Sequence, residues 1–209
     1  CGFDPLPSPV HVVAIADEDY GGSAACGTCL VVTGPLGSVL VKVTDRCPEC
    51  PAGNLDLSID AFSEIADVAQ ARVPVAWETV PCPLAGNAVA INADGANQWW
   101  YAVLIDDHRH GIASVELRSD SIPNWHLMAR QLWNEFLKVD GMGPPPYDVR
   151  ITDVTGTTLV AEDAIQNLTP RERFDLGAQF PACEECGIFC DDFESGTLAA
   201  WSGSSPVMR

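Results

Sequence analysis

The chain has 209 residues, of which 47% are hydrophobic and 19% are charged, and this composition predicts a folded protein of one or two domains. Its formal net charge is -18, which argues against a nucleic-acid partner, an anionic membrane surface or tight electrostatic binding to an acidic polymer such as pectin. No run of about 18 apolar residues occurs, so we expect no membrane-spanning helix.

The first 84 residues carry β patterns and one helical pattern. We predict strands at 10–15, 30–32 and 39–43, and a closing strand that begins at 73 and ends at Cys82. The segment GPLG at 34–37 is a turn signal between the second and third of these strands, so we expect a hairpin. Ser58 is a good N-cap, and the apolar residues that follow at helical spacing predict one short helix that ends near Val68.

A Pro- and Gly-containing segment at 81–86 predicts a domain boundary at about residue 84. Short β patterns follow at 99–105, 113–117, 125–128, 147–152 and 157–160. Their spacing predicts a small β-sandwich at 85–166. From residue 167 the β pattern fades, so we interpret 167–209 as a linker or tail with a cysteine cluster and the opening of a truncated further module.

Cysteine usage indicates the compartment. Nine cysteines favour an oxidising environment, so we expect a secreted, extracellular protein. Three of them, Cys183, Cys186 and Cys190, lie in the tail, and the sequence does not predict their role or pairing. The chain opens at Cys1 without a signal peptide, and we interpret it as a trimmed or partial product.

The other six cysteines allow two interpretations. Two CxxC pairs separated by 17 residues, at 26–29 and 47–50, fit the spacing of a zinc site. Cys1 and Cys82 bracket the same region and complete an even set, which favours disulfides. A thioredoxin-like redox role for the second pair is disfavoured, because no βαβ pattern surrounds it.

Several motifs in the first eighty residues occur together: YGGSAACGTC, VTGPLG, VTDRCPEC, GNLDLS and VPVAWETVPC. In combination they resemble the first domain of microbial expansins and expansin-like proteins, and the resemblance continues less closely to about residue 165. It implies a mainly β fold, with a six-stranded double-psi β-barrel and one short helix at 1–84, followed by an immunoglobulin-like β-sandwich at 85–166. It also implies three disulfides: Cys1–Cys26, Cys29–Cys82 and Cys47–Cys50.

The resemblance further implies a polar groove lined by three carboxylates. Asp56 lies in the LDLS segment, where related endoglucanases carry a general acid, so it takes an acid-like role. Asp45 matches the acidic residue of the VTD motif, and Glu49 matches a third groove carboxylate of bacterial expansins. The family lacks the catalytic base of its hydrolytic relatives, so we expect a non-lytic protein and not an enzyme. The family's opening strand has no match before Cys1.

Three tryptophans are expected to form a flat binding surface. In the second expansin domain, a type-63 carbohydrate-binding module, aromatic residues form a line of rings, and Trp99, Trp100 and Trp133 match their positions. Neighbouring strand residues point to opposite faces, so Trp99 and Trp100 share a surface only if one lies in the preceding loop or in a bulge. Trp77 is expected in the core, and Trp125 is expected to be buried.

The sequence predicts no cofactor and no metal. His108 and His110 lie near two aspartates in the stretch DDHRHG, which we interpret as a solvated loop. For the carboxylates Asp45 and Asp56, the alternative to a groove role is that they hydrogen-bond loops and a helix N-terminus.

The implied function is non-hydrolytic loosening of plant cell walls by a monomeric protein that binds cellulose or a related β-glucan or xyloglucan. Two alternatives stay open. One is a weak endoglucanase or a peptidoglycan lytic transglycosylase, since other double-psi barrels act on peptidoglycan. The other is an inert polysaccharide-binding module.

Overall fold

The computed structural model describes residues 1–4 and 11–182, which form a mainly β protein with few helices. The strands within these ranges are β1 (Val12–Ala16), β2 (Cys29–Gly34), β3 (Gly37–Cys47), β4 (Leu55–Leu57), β5 (Ala76–Val80), β6 (Val89–Asn92), β7 (Tyr101–Asp106), β8 (Ile112–Ser119), β9 (Ile122–Leu127), β10 (Ala129–Arg130), β11 (Glu135–Lys138), β12 (Tyr147–Asp153), β13 (Thr158–Ile165) and β14 (Arg173–Asp175). The helices are α1 (Asp17–Tyr20) and α2 (Ile59–Ile65), with 3-10 turns at Gly21–Ser23 and Val68–Gln70. In the described ranges no helix is long and apolar enough to cross a membrane.

The first unit is a five-stranded sheet in the order β4-β1-β3-β2-β5. Its described residues thus supply one strand fewer than the six predicted, and two short α-helices where one was predicted. The additional helix, α1, has four residues, which is too short to produce a helical period in the sequence. The predicted hairpin is confirmed, because β2 and β3 are paired up to Gly34 and Gly37.

Helix α2 begins where its N-cap was predicted. The Ser58 side chain accepts a hydrogen bond from the Ala61 amide, which satisfies one of the free donors of the first turn. The helix ends at Ile65, before the predicted end, because Ala66 has extended dihedral angles. Asp67 then caps the following 3-10 turn by accepting a hydrogen bond from the Ala69 amide at 2.9 Å.

The first unit has its own core and three cross-links. Residues of β1, β2 and β3 fill the core together with Ile65 of α2. The disulfides join Cys1 to Cys26, Cys29 to Cys82 and Cys47 to Cys50, which are the pairs implied by the family resemblance. The six sulfur atoms are therefore bonded in three pairs, and none of these cysteines has a free thiol that could coordinate zinc.

The second unit contains two sheets, in the orders β10-β11-β7-β6-β14 and β13-β12-β8-β9. Side chains from both sheets meet in one core, with Tyr101, Val103 and Ile105 from the first sheet and Val115, Leu117, Val149 and Ile151 from the second. The immunoglobulin-like arrangement stays a prediction, and the strands β6, β10, β11 and β14 were not predicted.

The interpretation of 167–209 as a tail is wrong for its first part. Strand β14 is paired with β6, and Phe174, Leu176 and Phe180 lie in the second core. A strand of three residues has too short a pattern to be recognised in the sequence. Residues up to Phe180 therefore belong to the second unit, whereas Cys183, Cys186 and Cys190 lie outside the described residues.

The two units are in direct contact through polar groups, of which Asp106 is buried. The Lys42 ammonium of β3 lies 2.7 Å from the Asp106 carboxylate of β7. His108 is also buried there, so the interpretation of its segment as a solvated loop is wrong for this residue. Gly27, whose φ is +77°, permits the close approach, because a Cβ atom on it would lie 2.5 Å from His108 Nε2.

Candidate functional site

Strand register brings two of the three predicted groove carboxylates onto one face of the first sheet. Ala14 of β1 is paired with Asp45 of β3 on one side and with Asp56 of β4 on the other. Residues directly opposite each other in neighbouring strands point to the same face. The flanking Val13 and Ile15 are buried, so Ala14 and both carboxylates lie on the face away from the core.

A bulge in β3 produces this arrangement. The pairing of β1 with β3 runs from Val13 opposite Val43 to Ala14 opposite Asp45, which leaves Thr44 as the extra residue. A bulge of one residue reverses the direction in which the following side chains point, and it is common near functional sites. Without it, Asp45 would lie out of register with Ala14.

The two carboxylates stand on opposite sides of a small side chain. Asp45 and Asp56 lie on the two strands that flank β1. Because neighbouring strands are about 4.8 Å apart, the backbones of the two residues are separated by roughly 9–10 Å. Both side chains are exposed, and the methyl group of Ala14 leaves the space between them open. Asp45 accepts a hydrogen bond from the Arg46 amide at 2.8 Å, whereas the Asp56 carboxylate has no hydrogen bond with the described residues. Asp56 is thus available to an incoming ligand.

Glu49 lies beyond the end of β3, in a turn closed by the Cys47–Cys50 disulfide and by a hydrogen bond from the Cys50 amide to the Cys47 carbonyl. Its side chain is exposed. Among the described residues, Glu49 has no hydrogen bond or ion pair, and it does not form a potential metal-binding group with Asp45 and Asp56.

The loop before β4 is held from two sides by residues that sequence analysis did not assign to the site. The Gly53 amide donates to the Asp19 carboxylate at 2.6 Å, and the Gly53 carbonyl accepts from Trp77 Nε1 at 2.9 Å. Trp77 is half-buried and packs on the first core, so its expected core position is only partly right. The loop leads directly into the strand that carries Asp56, and Trp77 and Asp19 therefore help to position that strand.

Trp99 and Trp100 lie in a tight turn at 97–100 that precedes β7. The Asn97 side-chain oxygen accepts hydrogen bonds from the Trp99 amide at 2.9 Å and the Trp100 amide at 3.1 Å, which is an Asx turn. The strand alternation that would separate the two rings therefore does not apply. Trp99 is 72% exposed and Trp100 is half-buried.

Two glycines support this turn from behind. Gly141 has a φ of +70°, and a Cβ atom there would overlap the Gln98 carbonyl oxygen and the Trp99 backbone. The Gly143 amide donates to the same Gln98 carbonyl at 3.0 Å. The position of Trp99 therefore depends on the absence of a side chain at residue 141.

Trp133 lies in a second turn, at 131–134, that precedes β11. Its side chain is 50% exposed, and its Nε1 donates to the Glu135 carboxylate at 2.7 Å. Strands β11 and β7 are antiparallel, with Lys138 opposite Tyr101 and Glu135 opposite Leu104. Trp133 therefore lies at the opposite end of this strand pair from Trp99 and Trp100.

Trp125 was expected to be buried, but it is less buried than that. It is half-buried on β9, and the guanidinium groups of Arg118 and Arg150 lie 4.6 and 4.5 Å from its ring centre. These cations are paired in turn with Asp148 and Glu116. The ring is thus covered by cation–π contacts instead of apolar core residues.

The contact between the units contains two groups with shifted pKa values. Burial lowers the pKa of His108 to about 4, and its Nδ1 lies 2.8 Å from the His110 carbonyl oxygen. Burial by itself would raise the pKa of Asp106, but the nearby Lys42 ammonium outweighs it and holds this pKa below its ordinary value. Throughout the described ranges no three His, Cys, Asp or Glu side chains form a potential metal site.

Comparison with known proteins identifies relatives of this chain. Residues 16–77 match the family described as lytic transglycolase. The chain is 34% identical to Expansin-YoaJ of Bacillus subtilis over 170 residues, covering 79% of this chain and 71% of that protein. It is 27% identical to Expansin-like protein 6 of Dictyostelium discoideum, covering 87% of this chain and 66% of that protein.

Solved structures agree with these relatives. The crystal structure of apo Clavibacter michiganensis expansin is 28% identical and superposes with a TM-score of 0.80, covering 87% of this chain and 88% of that one. A mutant of the same expansin in complex with cellohexaose superposes with a TM-score of 0.78 at 28% identity, covering 84% of this chain and 86% of that one. The identity to Expansin-YoaJ over most of its length shows that the chain belongs to the expansin family.

Proposed function

We propose that this expansin is secreted and binds cellulose or a related cell-wall β-glucan, including xyloglucan, as a monomer, and that it loosens such walls without hydrolysis. The observation that carries the proposal is Trp99, a large aromatic side chain that is 72% exposed on a turn built to hold it in place. An exposed indole of this kind is costly in water and suits stacking on the apolar faces of sugar rings. The relative solved with cellohexaose supports this ligand class.

The aromatic surface, defined as Trp99, Trp100 and Trp133, supplies the affinity in this proposal. Trp99 and Trp133 are 72% and 50% exposed, and the half-buried Trp100 is next to Trp99 in the chain. The three residues lie at the two ends of the β7–β11 strand pair. Indole rings have few rotatable bonds, so they lose little entropy when a flat polymer surface covers them. Because the net charge is -18, attraction to acidic polymers does not contribute to binding. In this proposal, stacking and hydrogen bonds supply the affinity for a neutral glucan.

The groove on the first unit supplies the polar contacts. We assign to Asp56 the acid-like role of hydrogen-bonding or protonating a glycan oxygen, with Asp45 on the other side of Ala14 and Glu49 at the rim. These contacts compete with hydrogen bonds between glucan chains, which provides a way to separate chains without cutting them. The three disulfides suit the oxidising compartment in which such a polymer is found.

The first test is a pull-down on insoluble cellulose with soluble sugar assayed in the same tubes. We expect the wild type to bind and to release no sugar, and the Trp99/Trp100/Trp133→Ala triple variant to lose at least tenfold in affinity. The Asp56→Asn variant should bind normally but lose the ability to weaken filter paper. Unchanged binding by the triple variant would contradict the assigned surface, and unchanged weakening by Asp56→Asn would leave the protein a binding module.

A glycan-cleaving activity is the second candidate, and one observation favours it. The first unit matches the lytic transglycolase family, and Asp45 and Asp56 are two carboxylates on one face of its sheet, the number of carboxylates that glycan cleavage usually needs. Purified peptidoglycan sacculi and soluble β-glucan should be incubated with the wild type and with the Asp45→Asn and Asp56→Asn variants. Product that disappears in both variants would establish this candidate and overturn the non-lytic proposal.

A further inference from the structure

The turn that carries Trp133 is held by side chains of the other unit. The Tyr20 hydroxyl donates to the Leu132 carbonyl oxygen at 2.8 Å, and the Ser23 hydroxyl donates to the Gln131 carbonyl oxygen at 2.8 Å. The donors and acceptors are more than one hundred residues apart in sequence. Tyr20 and Ser23 are 3% and 0% exposed, so neither side chain can touch a polymer directly.

Both donors are themselves fixed. The Tyr20 hydroxyl lies 3.2 Å from Cys26 Sγ, beside the Cys1–Cys26 disulfide. Burial raises the pKa of Tyr20, so its hydroxyl keeps the proton that it donates. The Ser23 carbonyl accepts a hydrogen bond from the Arg130 guanidinium at 3.3 Å, so here the second unit donates and the first unit accepts. The hydrogen bonds across the units therefore form a compact cluster around the 131–134 turn.

Its own unit also restrains the Trp133 turn, through the Glu135 carboxylate that accepts from Trp133 Nε1 at 2.7 Å and through the Arg130 guanidinium that donates to the Asn134 side chain at 3.4 Å. The Asn134 amide donates to the Gln131 carbonyl at 2.9 Å, and the Gln131 amide donates to the Glu135 carbonyl at 2.8 Å. Asn134 has a φ of +73°, a conformation that non-glycine residues adopt at a cost. The carbonyl of Leu132, directly before the tryptophan, is bonded by Tyr20.

The Trp99 turn is different. Its described contacts come from the second unit, namely the Asn97 side chain and the backbone of Gly141 and Gly143. Among the described contacts, the Trp99 turn is therefore held by its own unit, whereas the Trp133 turn is held by its own unit and by the first unit together.

We propose that Tyr20 and Ser23 are positioning residues for Trp133, so that the first unit sets the third ring of the aromatic surface. This rests on the proposed function of that surface. An extended glucan that reaches from Trp99 to Trp133 must find both ends correctly placed, because a misplaced ring no longer meets the sugar face. A short oligosaccharide that covers only Trp99 and Trp100 has no such requirement. The positioning thus selects for long, extended chains.

The main test is a double-mutant cycle on the full chain, with binding to microcrystalline cellulose as readout. Tyr20→Phe removes only the hydroxyl, and we expect it to weaken binding about threefold, as for one neutral hydrogen bond. In a Trp133→Ala background it should have no further effect, whereas in the matched Trp99→Ala background the threefold loss should persist. Ser23→Ala should behave in the same way. An equal loss in both backgrounds would overturn the proposal.

A second readout does not depend on cellulose. The tryptophans are labelled as 5-fluorotryptophan, and the fluorine NMR signals of Trp133 and Trp99 are assigned with Trp133→Phe and Trp99→Phe variants. Tyr20→Phe should shift or broaden the Trp133 signal and leave the Trp99 signal in place. An unchanged Trp133 signal would overturn the positioning role. If the wild type fails to bind cellulose, the proposed function fails, and the fluorine spectra still decide the role of Tyr20 and Ser23.

Discussion

The proposed groove and the proposed aromatic surface use different structural means to place their candidate side chains. In the groove, Asp45 and Asp56 are set by strand register on either side of Ala14. In the aromatic surface, Trp99 and Trp133 lie in turns outside the strands. Register is maintained by many ladder hydrogen bonds at once, whereas a turn depends on a few contacts. Single substitutions should therefore displace a ring more easily than a carboxylate.

The supporting contacts differ in a second respect. The groove is supported within the first unit, by the bulge at Thr44 and by the loop at Gly53. The aromatic surface takes part of its support from the other unit, through Tyr20 and Ser23. Damage to the contact between the units should thus reach the tryptophans before it reaches the carboxylates.

The largest effect is expected from Gly141→Ala, which should break the aromatic surface and leave the groove intact. The new Cβ atom would overlap the Trp99 turn, and the positive φ adds strain. We expect the free energy of unfolding to fall by about 4 kcal/mol and cellulose affinity to fall at least tenfold. Urea unfolding and the cellulose pull-down measure the two effects.

The matched control for this substitution is Gly156→Ala. Gly156 also has a positive φ, of +88°, but a Cβ atom there has nothing within 4 Å. This variant should lose only about 1 kcal/mol from backbone strain and should bind cellulose normally. Similar losses in both variants would show that strain, and not displacement of the Trp99 turn, explains Gly141→Ala.

The next effect concerns pH and the contact between the units. Because burial lowers the pKa of His108 to about 4, the unfolded chain binds this proton more readily than the folded one. The free energy of unfolding should therefore decrease by about 3 kcal/mol as pH falls from 6.5 to 4, and this contribution should level off below pH 4. Thermal or urea unfolding across this range measures the slope.

A glutamine substitution at the same position removes the titrating group. His108→Gln should flatten the slope between pH 6.5 and 4, because no proton is then taken up at this site on unfolding. His126→Gln, at a half-exposed position on β9, is the matched control and should leave the slope as in the wild type. An unchanged slope in His108→Gln would mean that another group causes the pH dependence.

A smaller effect on stability, but a clear effect on function, is expected from Ala14→Leu. The larger side chain should fill the space between Asp45 and Asp56 without moving either strand, since it points away from the core. We expect stability to stay within about 0.5 kcal/mol and filter-paper weakening to drop about tenfold. Ala14→Ser, which is similar in size to alanine, should retain activity; equal loss in both would show that volume is not the cause.

The smallest effect is expected at Glu135, which orients the Trp133 ring through its indole N–H. Glu135→Met removes the acceptor and should weaken cellulose binding about twofold, as expected for an exposed hydrogen bond. Glu135→Gln keeps an acceptor and should bind as the wild type does. If Glu135→Gln is as weak as Glu135→Met, the carboxylate charge matters and the ring orientation does not.

Local patterns predicted the elements that carry strong signals of their own. The GPLG turn forms the expected hairpin and Ser58 caps the expected helix. The strands that overlap predicted ones are β1, β2, β3, β5, β7, β8, β9, β12 and β13. The short strands β10 and β14 and the four-residue helix α1 have no such signal. They form because neighbouring strands and the core stabilise them, which a window of sequence does not contain.

The sequence could name candidate site residues but not their arrangement. With its family resemblance, it proposed Asp45, Glu49, Asp56, Trp99, Trp100 and Trp133, and their roles stay predictions. It did not indicate that Asp45 and Asp56 flank Ala14 on one sheet face or that Trp77 and Asp19 hold the loop before Asp56. Those facts depend on where separate strands and loops meet.

The sequence by itself determined the mainly β character, the hairpin, the helix cap and the even set of cysteines in the first unit, because each follows from neighbouring residues or from composition. The tertiary structure alone decided the register around Ala14, the burial of His108 and the support of Trp133 by Tyr20 and Ser23. Each of these depends on contacts between residues far apart in the chain. Such contacts are selected by the packing of whole sheets, and no local pattern encodes them.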